Sequence, residues 1–168
     1  MREWVPVPGS AKARLVAAAL ERFEALGFAG ASVVEIARLA EATTGALYHH
    51  FGSKQGLFDF VRLEMERRVR DRMEGAHAAV GGREGVAAAL LVGFDAAVGF
   101  RAARILGDPA GGEPELLAET LAALAAPHAP RPAGRVLLGA WRAALRAVAD
   151  GAPADAARRA LAWSLGAG

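Results

Sequence analysis

The sequence predicts an all-α protein: a small three-helix domain with a helix-turn-helix arrangement over residues 1–55, then a helical domain over residues 56–168. Three observations lead there. Alanine and leucine, both strong helix formers, dominate the chain. Val, Ile and Thr nowhere alternate with polar residues over the length of a strand. Glycine and proline clusters cut the remainder into pieces of helical length.

The first helix is expected to begin at Ser10, whose hydroxyl suits an N-cap, and to carry Leu15, Ala19, Phe23 and Leu26 along one face. Gly27 should end it, with Phe28 folding back on Phe23 as the apolar contact of a Schellman-type cap. Ser32 and Glu35 have the spacing of a capping box and open a short second helix with Ile36, Ala37 and Ala40 on its inner face. A tight turn follows. Thr43 then caps a third helix whose inner positions are Leu47 and Phe51, and Gly52 with Ser53 closes it.

A fourth helix is predicted from Lys54 to Glu74, with Leu57, Val61, Met65, Val69 and Met73 recurring along one side. On its outer face Arg67, Arg68, Arg70 and Arg72 interleave with Glu64, Glu66, Asp71 and Glu74, a pattern of solvated ion pairs. After a break at Gly81 and Gly82, further helices are expected over Arg83–Leu106, Glu113–Ala126, Ala133–Asp150 and Ala154–Ser164. The segments Asp108–Pro114 and Pro127–Pro132 read as loops, the second because three prolines in six residues cannot be helical inside.

Composition excludes several functions. With no cysteine there is no disulfide framework, no thiol nucleophile and no zinc site with sulfur ligands. Trp4, Pro6 and Pro8 stand where a secretory signal would carry a basic patch and an apolar run. The longest apolar stretch, Val86–Phe100, contains Asp95 and falls short of the ~20 residues that cross a bilayer. A soluble, cytoplasmic protein without membrane association is therefore expected. No metalloprotease helix motif, catalytic triad, paired carboxylates or phosphate-cradling glycine loop is convincingly placed, so neither enzyme nor cofactor is expected. His77 and His128 are isolated and read as polar surface residues.

Twenty Lys and Arg against eighteen Asp and Glu leave a net charge of +2. Residues 1–74 hold eleven basic and ten acidic residues, so placement and not total charge must carry attraction to DNA. The placement is in the string Ala40–Leu57, AEATTGALYHHFGSKQGL. A third helix following a tight turn is the element that enters a major groove while the second crosses the backbone. Thr44, Gly45 and Ala46 are small enough to bring the backbone close to base edges, where Thr44 can hydrogen-bond and Ala46 can touch a thymine methyl. Tyr48 offers a hydroxyl to a phosphate oxygen, and Lys54 adds a cation at the start of the next helix. His49 and His50 point about 100° apart on a helix, which argues against one shared metal. One of them is read as facing DNA, against ordinary surface polarity; for Tyr48 the competing reading is a half-buried core aromatic.

Arg14 to Leu57, with Ala18, Phe23, Gly27-Phe28, Ser32, Ile36-Ala37, Ala40, Thr43, Gly45, Leu47-Tyr48, His50-Phe51, Ser53-Lys54 and Leu57, resembles the TetR-family DNA-binding signature without a gap. The resemblance implies a homodimer that binds a near-palindromic double-stranded operator, with Ser32, Thr43, Thr44, Gly45, Ala46, Tyr48, His49, His50 and Lys54 at the DNA. It also implies a transcription regulator, a repressor released by a small-molecule effector; the alternative is an effector-independent regulator controlled by partner proteins. Glu41 and Ala42 depart from the glycine and β-branched residue that the family often has there, and Thr44 stands where a cation is common. Both departures weaken phosphate attraction and predict salt-sensitive binding.

In the second domain, Leu91, Phe94, Val98, Phe100 and Trp141 are the candidate ligand-lining residues, with ordinary core as the competing reading. Arg101, Arg104 and Arg142 are the candidates to orient an acidic effector. The last two helices are the candidate dimerisation pair, Trp163 included, against packing within one subunit.

Overall fold

The computed structural model describes residues 9–108, 116–126, 128–130 and 132–166. Among these the chain forms nine helices and no strand: α1 (Ala11–Gly30), α2 (Val33–Leu39), α3 (Thr44–Phe51), α4 (Lys54–Val80), α5 (Gly82–Gly99), α6 (Ala103–Gly107), α7 (Leu116–Ala125), α8 (Ala133–Ala149) and α9 (Ala154–Ser164). The all-α class is as the composition required. The chain divides into two compact units within α4, between Leu63 and Glu64.

In the first unit α1, α2 and α3 pack on one another. Ser10 caps α1, its Oγ accepting from Ala13 N at 3.2 Å. Gly27 leaves helical geometry at φ 71°, which only glycine adopts at little cost, and kinks the helix before one last turn. Phe28 returns over Phe23 with ring centroids 6.1 Å apart, and Phe58 meets both rings edge-on at 5.0 and 5.2 Å. Around this aromatic cluster Leu15, Ile36, Leu47, Leu57 and Val61 are fully buried. These residues match the helical periodicity from which they were chosen, but Leu26, expected on the same face as Phe23, is 48% exposed, because it stands just before the kink at Gly27.

The capping box at Ser32 is not formed. Ser32 precedes α2 with extended backbone, but its side chain makes no cap bond. The first orphan amides of such a short helix can meet water instead, so the box is dispensable.

The second unit is organised around α8, which packs against α5, α6, α7 and α9. Its inner face holds Leu138, Trp141 and Leu145, all essentially buried. Two close approaches fix its place. Gly107 lies so near α8 that a Cβ would come within 3.1 Å of Arg146 N, and a Cβ on Gly134 would meet Ala118 O at 2.7 Å. Arg146 and Arg104 tie α6 and α8 together by donating to Gly107 O at 3.2 Å and Ala149 O at 2.7 Å. Asp95 on α5 accepts from Arg158 on α9 at 2.8 Å.

Three expectations need correction here. The helix expected over Arg83–Leu106 is two helices, because Phe100 caps α5 and Arg101 turns the chain at φ 56°. The fourth helix runs on to Val80, where Gly81 at φ 76° and Gly82 at φ 60° end it. Its charged face is not wholly solvated: Arg68–Glu64 and Arg70–Glu74 pair as expected at 3.1 and 3.8 Å, but Glu66 is buried, as is Arg62 one turn earlier. Residues 109–115, which include Glu113 and most of the first loop, lie outside the described residues, as do Pro127 and Arg131 of the second. None of the described helices is long and apolar enough to cross a membrane.

Candidate nucleic-acid interface

The turn between α2 and α3 is built from backbone hydrogen bonds and one arginine. Ala42 N donates to Ala37 O at 2.9 Å, closing α2, and Glu41 between them adopts φ 49°. That left-handed conformation is where glycine serves best, and a β-carbon there costs about 1–2 kcal/mol. Arg14 of α1 supports the turn from behind, donating from Nε to Ala40 O at 2.8 Å and from Nη2 to Glu41 O at 3.5 Å. Sequence reasoning placed Arg14 only within the family pattern; its tertiary role had no local signal.

Thr43 then caps α3 as expected, its Oγ1 accepting from Ala46 N at 3.1 Å. Leu47 is the buried anchor, which turns Gly45, Tyr48, His49 and His50 outward; all four are exposed, Tyr48 at 50%. Thr44 and Ala46 are half-buried at their flanks. A Cβ on Gly45 would meet only Thr43 Oγ1, at 3.7 Å, so this surface is open to a close partner. The two histidine rings stand 5.4 Å apart, and no cluster of three His, Cys, Asp or Glu able to hold a metal occurs among the described residues. Ser32 is half-buried, with its hydroxyl unspent on a cap.

The angle between α3 and α4 is set by glycine. Gly52 takes φ 74° at the corner, Ser53 Oγ accepts from Gly56 N at 2.9 Å, and a Cβ on Gly56 would collide with Phe51 O. Lys54 begins α4 with its Nζ 4.6 Å over the Phe28 ring and hydrogen-bonded to Ala29 O at 3.4 Å. It is thus a pinned cation. Lys12 similarly lies over Phe60 and Phe51, at 4.8 and 5.4 Å, and partial desolvation holds its pKa below the ordinary lysine value.

The candidate effector residues differ in burial. Phe94 and Trp141 are fully buried core side chains, while Leu91, Val98 and Phe100 are half-buried. The indole Nε1 of Trp141 is enclosed without a hydrogen-bond partner among the described residues. Arg101 is exposed, Arg104 is spent on Ala149 O, and Arg142 is buried. A cleft of about 360 Å³ lies elsewhere in the same unit, lined by Arg83, Val86 and Ala87 of α5, His128, Leu137 of α8 and Leu165 among others, and by none of the five candidates.

A capped three-helix unit with a tight α2–α3 turn and an outward-facing third helix defines the helix-turn-helix class. Residues 15–61 match the model of the bacterial regulatory proteins of the tetR family. Over these residues the chain is thus similar to the DNA-binding domain of that family. Among curated relatives, the regulator BetI of Ectopseudomonas mendocina is 39% identical over 72 residues, covering 43% of this chain and 33% of BetI. UidR of Escherichia coli K12 is 36% identical over 70 residues, 39% of this chain and 36% of UidR. The chain thus aligns with about a third of each. Beyond that segment, the fold resembles a TetR-family regulator from Pectobacterium atrosepticum (TM-score 0.69, 23% identity, 91% of this chain and 89% of that one). It also resembles a transcriptional regulator from a Rhodococcus species (TM-score 0.70, 22% identity, 94% and 95%).

Proposed function

We propose that the chain is a sequence-specific DNA-binding transcription regulator, a repressor that grips a near-palindromic operator as a homodimer and leaves it when a small-molecule effector binds. The observation that carries this is the face of α3: Gly45, Tyr48, His49 and His50 are presented outward by a helix anchored at Leu47 and capped by Thr43. Thr44 and Ala46 supply base-edge contacts, while Tyr48, Ser32 and Lys54 supply phosphate contacts. Lys54 acts as a fixed charge, because the Phe28 ring and Ala29 O hold it in place. In a dimer built on α8 and α9, two such helices would enter successive major grooves about 34–36 Å apart.

The burial of Phe94 and Trp141 in the core favours a second reading, in which partner proteins and no effector set the activity. Selecting bound duplexes from a random pool with the purified chain tests the first reading. Enrichment of inverted repeats with half-sites one turn apart is expected, and a pool that stays random overturns it. Titrating cell-extract metabolites against the selected duplex then separates the two readings.

A further inference from the structure

We propose that the cleft between the start of α5, the end of α7 and the start of α8 binds an amphipathic monocarboxylate, a small organic acid with an apolar body. This deepens the effector half of the function proposed above and rests on it, but moves the site away from the Phe94 and Trp141 core.

The cleft's volume of about 360 Å³ falls within the ~300–1,000 Å³ of small-molecule sites. Its walls are mostly aliphatic, with Val86, Ala87, Leu137 and Leu165 prominent, and would bury an alkyl or aryl body. No acid among the described residues lines it; Glu84, next to Arg83 in sequence, is not in the wall. Among the described residues the side chains of Arg83 and His128 make no hydrogen bond or ion pair, and both residues line the cleft. The hydroxyl of Ser164, also in the wall, already donates to Leu161 O at 2.7 Å. An unengaged guanidinium at the edge of an aliphatic cleft is matched by one carboxylate, which it can hold through two parallel N–H···O bonds. Among the described lining residues a cation finds no counter-charge, and a polyanion too few donors.

The position also suits control. The turn of α5 that carries Arg83 rests on the end of α4, where a Cβ on Gly85 would lie 3.0 Å from the His77 ring. A ligand drawing Arg83 inward must shift that packed contact, since interiors yield by discrete rearrangement.

The probe is octanoate, titrated calorimetrically into the full chain without DNA, with 1-octanol as its uncharged counterpart. One saturable site per chain is expected, with octanol weaker by roughly tenfold or more. Arg83→Ala should weaken octanoate by about the same factor, and Ala129→Trp, which fills the cleft, should abolish binding. Arg159→Ala, on an exposed ion pair of α9, should change nothing, and thermal melts check that each variant folds. Absence of saturable binding, equal affinity for octanol, or indifference to both Arg83→Ala and Ala129→Trp overturns the proposal. So does a cleft filled by a second copy of the chain, seen as Ala129→Trp breaking a dimer that never takes up octanoate. If octanoate binds as described but leaves operator affinity unchanged, the site stands and the effector reading fails.

Discussion

Arg14 donates from Nε to the carbonyl oxygen of Ala40 at 2.8 Å, and so ties the first helix to the turn in which Glu41 stands at φ 49°. The bond spans 26 residues and has no local substitute, because α2 has already ended at Leu39. Arg14→Ala should therefore cost about 1–2 kcal/mol in chemical denaturation, the range of a partly exposed hydrogen bond from a charged donor. Operator affinity should also fall at temperatures where both proteins are fully folded. Unchanged affinity would show that the bond serves stability alone.

Glu41 itself should be a residue that the protein is better bound without. Glycine removes the left-handed strain but adds unfolded-state entropy, so Glu41→Gly is expected to stabilise by only about 0.5–1 kcal/mol. It also takes a negative charge from the turn beside the proposed phosphate contacts. Operator binding by fluorescence anisotropy should tighten several-fold at low salt, and the gain should shrink as salt rises through the screening range. A gain that ignores salt would assign the effect to backbone geometry and not charge.

Features with a chemical cause at one position were the legible ones. Ser10 and Thr43 cap because a hydroxyl precedes a helix, Gly27 turns because it lacks a Cβ, and Leu57 to Met73 are buried because their spacing fits a helical face. The helix break at Arg101 escaped because a left-handed arginine leaves no mark in sequence; packing of α6 on α8 imposes it. Ser32 shows the converse, since a capping-box spacing permits the bond without requiring it. In the site, the outward residues of α3 followed from the anchor Leu47, whereas the holds on Lys54 and Ala40 join residues 25 and 26 apart. The cleft at Arg83 depends on four helix ends meeting, which no periodicity records.

Lys54 should behave as a structural and an electrostatic residue at once. Lys54→Ala removes its contact with the Phe28 ring and its bond to Ala29 O, costing about 0.5–1 kcal/mol at this half-exposed site. Affinity should drop alike for operator and random duplex, with the slope of log K against log salt lowered by roughly one unit per lost phosphate contact. Discrimination between sequences should survive. A variant that loses discrimination instead would place Lys54 at a base.

Acid should loosen the start of α9. The Asp155 carboxyl is held below its ordinary value first by its hydrogen bond from Arg159, at 2.6 Å, and then by that residue's charge. A carboxyl whose folded pKa is depressed stabilises fully above its unfolded value, and the contribution is lost as pH falls through the folded one. The pair is fully exposed, so the effect is small. Thermal melts of Asp155→Asn and the unaltered chain should differ at pH 7 and converge towards pH 3. A gap independent of pH would point to helix capping and not to ionisation.

Trp163 is 81% exposed on α9 and Val136 is 68% exposed on α8. Large apolar side chains are rarely left so open on adjoining helices of a monomer, and aromatic residues are the usual anchors of an interface. A homodimer through α8 and α9 would cover both. Trp163→Glu places a charge where a buried partner surface would be, and it harms little in an isolated subunit because the site is solvated there. Sedimentation equilibrium should show the unaltered chain as a dimer and the variant as a monomer with an unchanged helical spectrum. Operator affinity should fall at least a hundredfold, because two half-site contacts no longer share one binding event. If Trp163→Glu remains dimeric, the interface lies elsewhere on the second unit and Trp163 is free for another partner. If it turns monomeric but binds the operator as tightly as before, each half-site is held independently and the near-palindromic operator is wrong.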